Sequence, residues 1–212
     1  MLLELFSGTC SVGRAFRAAG WDVCSVDNDA STHPTILADA RALTLDMLPR
    51  IPDLIWASPV CTHYSKARTR AKAPPDLEWA DSLVQACLDL QRACGCPMLF
   101  ENPHSGLLRT RPLVQGIPYR TVDYCKYSDE RFPHTARKRT AIWCVDCDWQ
   151  PSRPLCKHDC GYCEGGRHLQ RAQQGSVPRA GIFSRHSLKE LYAIPPALCE
   201  EIAAWACANV FG

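Results

Sequence analysis

The chain has 212 residues, 46% of them hydrophobic, and a net charge of only +2: enough apolar mass for one sizeable core, but no overall charge that announces a nucleic-acid binder. No run nears the ~18 apolar residues of a membrane span, and Met1-Leu2-Leu3-Glu4-Leu5-Phe6 has no charged leader region. The expectation is an intracellular protein (cytoplasm or nucleus) without a membrane role, whose 14 cysteines serve as thiols and metal ligands rather than disulfides.

In chain order, residues 2–6 read as a short apolar strand. Ser7-Gly8-Thr9-Cys10-Ser11-Val12-Gly13 is a turn into a helix over 14–19, ended by Gly20. Residues 22–26 form a second strand with Asp27 at its tip. Strand, glycine-bearing turn, helix, strand and acid make the βαβ pattern of a nucleotide-type cofactor site. Its glycines let backbone approach the ligand, and its acid accepts hydrogen bonds from ribose hydroxyls. Cys10 stands where a middle glycine is expected, and a side chain there disfavours a positive φ.

A third short strand ends near Ile36-Leu37-Ala38, just before Asp39. Residues 53–57 form a buried strand closed by the Ser58-Pro59 breaker, and Cys61 follows in the loop at its carboxyl end. Behind it, Lys66, Arg68, Arg70 and Lys72 make a cationic loop suited to phosphates, so Cys61 is a candidate nucleophile acting on a nucleic acid. Leu77, Ala80, Leu83, Val84, Cys87, Leu88 and Leu90 recur at helical spacing within 74–94. Residues 97–100 are another buried strand, with Glu101-Asn102-Pro103 just past its tip. Two further strands, 119–124 and 140–145, flank the basic Arg137-Lys138-Arg139. A helical region over 186–209, bent at Pro195-Pro196, presents Leu188, Leu191, Leu198, Ile202, Ala203 and Trp205 as its apolar face. Alternating strands and helices predict a parallel, doubly wound α/β sheet, with Asp27, Asp39, Cys61 and Glu101 along one edge.

From Cys144 to about residue 175 that rhythm breaks, and Cys, His, Gly and Pro dominate. Thiolates and imidazole at close spacing suit tetrahedral Zn²⁺. Two ligand sets fit: Cys144, Cys147, Cys160 and Cys163, or Cys156, Cys160, Cys163 and His168. Arg153, Lys157, Arg167 and Arg171 decorate the same lobe and suit contact with a nucleic acid. The organisation expected is a catalytic domain over 1–143, a small zinc lobe over 144–175, and a helical segment over 176–212 that completes the first.

Taken in order, these stretches resemble the DNA cytosine-5 methyltransferases, most closely the short phage and viral forms. Leu5-Phe6-Ser7-Gly8-Thr9 through Gly13 is similar to the first cofactor motif, Val26-Asp27 to the ribose-binding acid, and Asp39 to the residue that meets adenine. Ser58-Pro59-Val60-Cys61 resembles the Pro-Cys catalytic motif, and Phe100-Glu101-Asn102-Pro103 the pair that holds the target base. Arg137-Lys138-Arg139-Thr140-Ala141 occupies the place of the basic motif, and Ile194-Pro195-Pro196-Ala197-Leu198 that of the closing motif.

The resemblance implies a Rossmann-like methyltransferase sheet, S-adenosylmethionine as cofactor, and cytosine carbon 5 in DNA as the acceptor, on a monomer. Its cofactor residues would be Phe6, Ser7, Gly8, Thr9, Cys10, Gly13, Asp27, Asn28, Asp39, Ala40, Ser58 and Pro59. Its catalytic residues would be Cys61, Glu101 and Arg139, and among the zinc sets it favours Cys156, Cys160, Cys163 and His168. The chain departs from the family pattern at Cys10, Val60 and Ala141, the last standing where an arginine commonly contacts the cytosine. RNA cytosine as acceptor, or a zinc-containing nucleic-acid-binding protein without catalysis, are the other readings.

Overall fold

The computed structural model describes residues 1–66, 73–130, 136–172 and 187–210; the cations Arg68, Arg70 and Lys72 lie outside them. Seven strands, β1 (Leu2–Leu5), β2 (Val23–Asp27), β3 (Ile36–Leu37), β4 (Leu54–Ala57), β5 (Met98–Pro103), β6 (Tyr119–Asp123) and β7 (Arg139–Val145), form one sheet. Their order is β3-β2-β1-β4-β5-β7-β6. The first five pair in parallel, but β7 runs antiparallel between β5 and β6. The sheet is therefore mixed rather than wholly parallel. A parallel return needs a crossover, usually a helix, whereas the described part of the link from β6 to β7 carries only a short helical turn at Tyr124–Tyr127.

Strand alternation builds two cores. Leu3, Leu5, Ile55, Ala57, Met98, Phe100 and Trp143 face helix α2 (Leu77–Cys94). Leu2, Leu54, Trp56, Leu99 and Ile142 face α1 (Ser11–Ala18) and α4 (Pro196–Asn209), which pack against each other. Asp76 caps α2 by accepting from Trp79 N–H at 2.9 Å, and Gly95, at φ +65°, ends it. Pro196 opens α4 at a position where a missing N–H costs nothing. The short α3 (Leu188–Tyr192) precedes it.

Two local details differ from the sequence reading. Glu101-Asn102-Pro103 belongs to β5 instead of lying past its tip, because β5 keeps pairing with β7 after its pairing with β4 ends at Phe100. Cys10 does hold a positive φ, +52°, as does Phe6 at +56°. Left-handed conformations at such residues cost of the order of 1–3 kcal/mol and persist where the surroundings over-determine them.

Gly13 is used for close packing, one turn inside α1. Its N–H donates to Glu4 Oε1 at 3.1 Å, and a Cβ there would lie 2.3 Å from Glu4 Oε2. Glu4 is only 2% exposed, and burial pushes its carboxyl up to about 7 against the pull of the Gly13 N–H, Arg17 and Arg14. Gly13→Ala is expected to destabilise the protein by about 1–3 kcal/mol in urea unfolding. A raised folded-state pKa gives stability that is complete below 4.5 and lost as pH rises through about 7. Relative to the parent, Glu4→Gln should therefore gain on the order of 3 kcal/mol between pH 4 and pH 8, read from unfolding midpoints at both pH values.

Candidate active site

The carboxyl ends of β1, β2, β4 and β5 share one edge, where side chains from separate stretches converge. A cleft there is lined by Phe6, Val26, Asp27, Asn28, Ala38, Asp39, Ala40, Val60, Trp79 and Leu83. Phe6, Asp27, Asn28, Asp39 and Ala40 are among the residues singled out from sequence; Trp79 and Leu83 on α2 were taken only as part of a helix. Asp27 Oδ2 accepts from Gly8 N–H at 2.8 Å, which ties the Ser7–Cys10 turn to the cleft rim. Asp39 accepts from the Arg41 N–H at 2.9 Å and from the Arg41 guanidinium, which hold its carboxyl below the usual range. Arg41 in turn lies 5.8 Å from the Trp79 ring centroid. Thr9 and Ser11 hydroxyls meet at 2.7 Å, and Ser11 Oγ accepts from Ile194 N–H at 3.3 Å, so the closing motif lies against the first turn of α1. Gly13 does not line the cleft; it faces Glu4 instead.

Next to the cleft is the loop that carries Cys61. Asn102, 1% exposed, donates from Nδ2 to the Pro59 carbonyl at 3.0 Å and so fastens β5 to the loop two residues before the thiol. Beyond Cys61, the buried Tyr64 donates to Asp81 Oδ1 at 2.8 Å, and Arg111 holds the other Asp81 oxygen at 2.6 Å. Leu107 N–H donates to the Tyr64 carbonyl at 2.9 Å. Both flanks of the nucleophile candidate are thus fixed to rigid elements.

Glu101 is almost fully buried, and the Ser58 hydroxyl, which accepts from Trp56 Nε1 at 3.0 Å, lies on its carboxyl side and lowers its pKa against burial. Ser58 therefore supports Glu101 and does not line the cleft; nor does Pro59, whose carbonyl holds Asn102. Glu101 Oε2 and Asn102 Oδ1 are buried without a hydrogen-bond partner among the described residues, and buried polar atoms of this kind are rare.

Arg139, the cation expected here, is not the one present. Its guanidinium makes a two-pronged pair with Asp123, at 2.8 and 2.7 Å. Lys138 takes the place beside Glu101 and Cys61: its Nζ donates to the Leu191 carbonyl at 2.6 Å and sits 4.7 Å from the Tyr124 ring centroid. The reason is parity. Glu101 pairs across the ladder with Ile142, so even-numbered β7 residues share the Glu101 face and odd-numbered ones point to the other side. Ala141 is buried in the α2-side core by the same rule, so an arginine there would not reach the Glu101 face.

Burial pushes the Cys61 thiol up, the Glu101 charge pushes it further, and Lys138 pulls it down. Burial likewise raises Glu101 against Lys138 and Ser58. Desolvation lowers Lys138, opposed by Glu101 and Cys61. The three groups form one coupled electrostatic unit.

A second cluster lies at the far end of β6. Cys125, Cys156, Cys160 and His168 bring one ligand atom each within 4.8 Å of one another, and a second group joins His158, Cys163 and His168. Cys156 Sγ and Cys160 Sγ stand 3.5 and 3.4 Å from His168 Nε2, and Cys160 Sγ stands 3.6 Å from Cys163 Sγ. Cys125 was not foreseen; only its buried place beside the lobe reveals it. Cys144 and Cys147 are not in this cluster: Cys144 is on β7 near the end away from Asp123, and Cys147 Sγ contacts the Met98 carbonyl. Arg153 is also engaged, lying over the Tyr127 ring at 4.8 Å and donating to the Lys126 carbonyl at 2.6 Å.

Sheet order and cleft define a doubly wound α/β protein with a cleft at its sheet edge beside a half-buried thiol and a buried carboxyl. No family model matches the chain. It is 31% identical over 220 residues, 95% of this chain and 97% of the relative, to a probable DNA (cytosine-5)-methyltransferase of frog virus 3 (isolate Goorha). The chain belongs to the DNA (cytosine-5)-methyltransferase family. Solved structures similar to it include Dnmt2 of S. pombe (TM-score 0.43, 15% identity, 79% of this chain and 62% of that one). A mutant Spodoptera frugiperda DNMT2 (0.44, 15%, 72% and 52%) and the Entamoeba histolytica methyltransferase EhMeth (0.45, 10%, 73% and 55%) are others. The chain thus spans less than two thirds of each of these three, and among its described residues no helix is long and apolar enough to cross a membrane.

If Lys138 is the cation that Cys61 feels, Lys138→Gln should move alkylation of Cys61 by iodoacetamide to higher pH, while Arg139→Gln leaves it in place. Peptide mass spectrometry across a pH series reads the difference at that one thiol.

Proposed function

We propose that this chain is an S-adenosylmethionine-dependent methyltransferase that acts on carbon 5 of cytosine in DNA, with Cys61 as the nucleophile. The observation that carries this reading is the meeting at the sheet edge of the half-buried Cys61 thiol, the buried Glu101 carboxyl and the half-buried Lys138 ammonium, with Glu101 Oε2 and Asn102 Oδ1 finding no hydrogen-bond partner among the described residues. DNA as substrate is supported by the viral relative's description as a probable DNA methyltransferase.

The neighbouring cleft has the donor set a nucleoside-bearing cofactor needs. Phe6, Val60, Trp79 and Leu83 give apolar walls for a flat base, and Asp27 and Asp39 give acceptors for hydroxyl and amino groups. Asp27 also accepts from Asp29 N–H at 2.9 Å, yet a carboxylate has about four acceptor sites and keeps capacity for a ribose. Bound there, S-adenosylmethionine supplies an electrophilic methyl group on a sulfonium.

Carbon 5 of cytosine is a weak nucleophile until carbon 6 is attacked. The Cys61 thiolate adds to carbon 6, breaks the ring's aromaticity and makes carbon 5 enamine-like. Glu101, kept protonated by burial, donates to ring nitrogen 3 and offsets the charge that develops on the attacked ring. The Lys138 ammonium favours the thiolate over the thiol and steadies the same charge. Asn102 holds the loop at Pro59, so that Cys61 meets the ring from a fixed direction. Once carbon 5 is methylated, loss of its proton and departure of Cys61 restore the aromatic ring. A base stacked in a duplex cannot present carbon 6, so a DNA substrate has to be flipped out. The cysteine–histidine lobe keeps its shape around a zinc ion and contacts the nucleic acid.

Methyl transfer from radiolabelled cofactor onto duplex DNA, single strands and tRNA tests the substrate. Incorporation into duplex cytosine is expected, and incorporation into tRNA alone would overturn the DNA assignment. A duplex bearing 5-fluorocytosine should trap a covalent complex that Cys61→Ser does not form. Lys138→Gln should lower turnover by about 100-fold, the usual scale for losing one group that stabilises transition-state charge.

A further inference from the structure

The metal cluster draws its donors from two separate parts of the chain. Cys156, Cys160, Cys163 and His168 lie on the lobe, the last two on the small hairpin β8 (Cys163–Glu164) and β9 (Arg167–His168). Cys125 does not. It is 2% exposed, on the turn at Tyr124–Tyr127 that directly follows β6 of the main sheet. Four thiol or imidazole donors thus form one group, the number a tetrahedral ion takes, while Cys163 groups with His158 and His168.

We propose that Cys125 is one of the four ligands, with Cys156, Cys160 and His168, and that the metal bolts the lobe to the catalytic sheet. The proposal rests on the reading that the lobe binds zinc. Tetrahedral bonds of about 2.3 Å to sulfur and 2.0–2.1 Å to nitrogen put sulfur and nitrogen about 3.6 Å apart. Cys156 and Cys160 meet His168 at 3.5 and 3.4 Å, close to that separation. All four ligand atoms of the set that contains Cys125 lie within 4.8 Å of one another. Cys163 reaches the cluster through Cys160, and it also groups with the exposed His158 and with His168, at the outer margin of the lobe.

An independent contact shows the same clamp from the protein side. Asp123, two residues before Cys125 and 1% exposed, accepts from Cys156 N–H at 2.9 Å. The same carboxylate holds Arg139, the first residue of β7. A closed path therefore runs from β6 through Cys125 and the metal to Cys156, and back through Asp123 to Arg139. Lys138 is the next residue along. Zinc at this position fixes the corner of the sheet from which Lys138 reaches the active site.

The test measures zinc per chain by elemental analysis in the full-length parent, Cys125→Ser and Cys163→Ser, followed by competition with a chromogenic chelator. The expected result is one zinc in the parent, retention in Cys163→Ser, and an affinity more than about 100-fold lower in Cys125→Ser, beyond what loss of an outer-sphere contact costs. Zinc held as tightly by Cys125→Ser as by the parent would overturn the assignment of Cys125 while leaving a zinc lobe in place. A parent without zinc would overturn the zinc reading as well. Cys125→His keeps a ligand if the serine variant does not fold. After cobalt exchange, its sulfur-to-metal absorption should fall by one thiolate's share relative to the parent, and an unchanged spectrum would count against the proposal.

Discussion

The antiparallel pairing of β5 with β7 is the constraint on which the site depends. It extends β5 past its last parallel neighbour, so that Glu101 and Asn102 become strand residues with fixed directions. Glu101 then points to the α1 side of the sheet, where β7 presents Thr140 and Ile142 and where Lys138, just before β7, lies near the Tyr124 ring. Asn102 sits opposite Ala141 and anchors the Pro59 carbonyl. One ladder thus orients the acid, the amine and the support for the thiol loop. Because side chains alternate with period two, a slip of one residue would turn Ala141 and Trp143 toward the Glu101 face in place of Thr140 and Ile142.

The electrostatics follow from putting three ionisable groups together at a largely covered edge of the sheet. Each of Cys61 and Glu101 is driven toward its neutral form by burial, and each repels the other's negative charge. Lys138 is the cation acting on both. Two unit charges 4 Å apart interact by about 4 kcal/mol at an effective dielectric of 20, so one ammonium can favour one anion but not two at once. Burial holds both Cys61 and Glu101 toward their neutral forms, and Lys138 offsets part of that for each.

Much of this was legible in the sequence. Local signals placed the βαβ start, the α2 helix, and the tips at Asp27, Asp39 and Cys61, because each depends on periodicity or on a breaker such as Ser58-Pro59. The 31% identical viral relative matches the family that the ordered motifs resembled. What was not legible depended on pairing across long separations. Arg139 and Lys138 are adjacent in sequence, and only the β7 register decides which of them faces Glu101. Ser58 reads as a breaker until Trp56 and Glu101 are seen on either side of its hydroxyl. Cys125 sits 31 residues before Cys156, outside any spacing rule, and joins the cluster because β6 ends beside the lobe. The Cys144–Cys147 spacing suggested a ligand pair, but the strand carries that pair toward the opposite end of the sheet.

The Lys138 ammonium docks on a backbone carbonyl, that of Leu191, supplied from late in the chain. Nearby, α4 lays Leu198, Ile202 and Ala206 over the core that Leu2 and Phe16 begin. During synthesis, then, a nascent polypeptide can carry Cys61, Glu101 and Lys138 for some time before the segment that seats the amine leaves the ribosome. A product ended before Leu191 would hold all three side chains yet lack the carbonyl on which the ammonium docks.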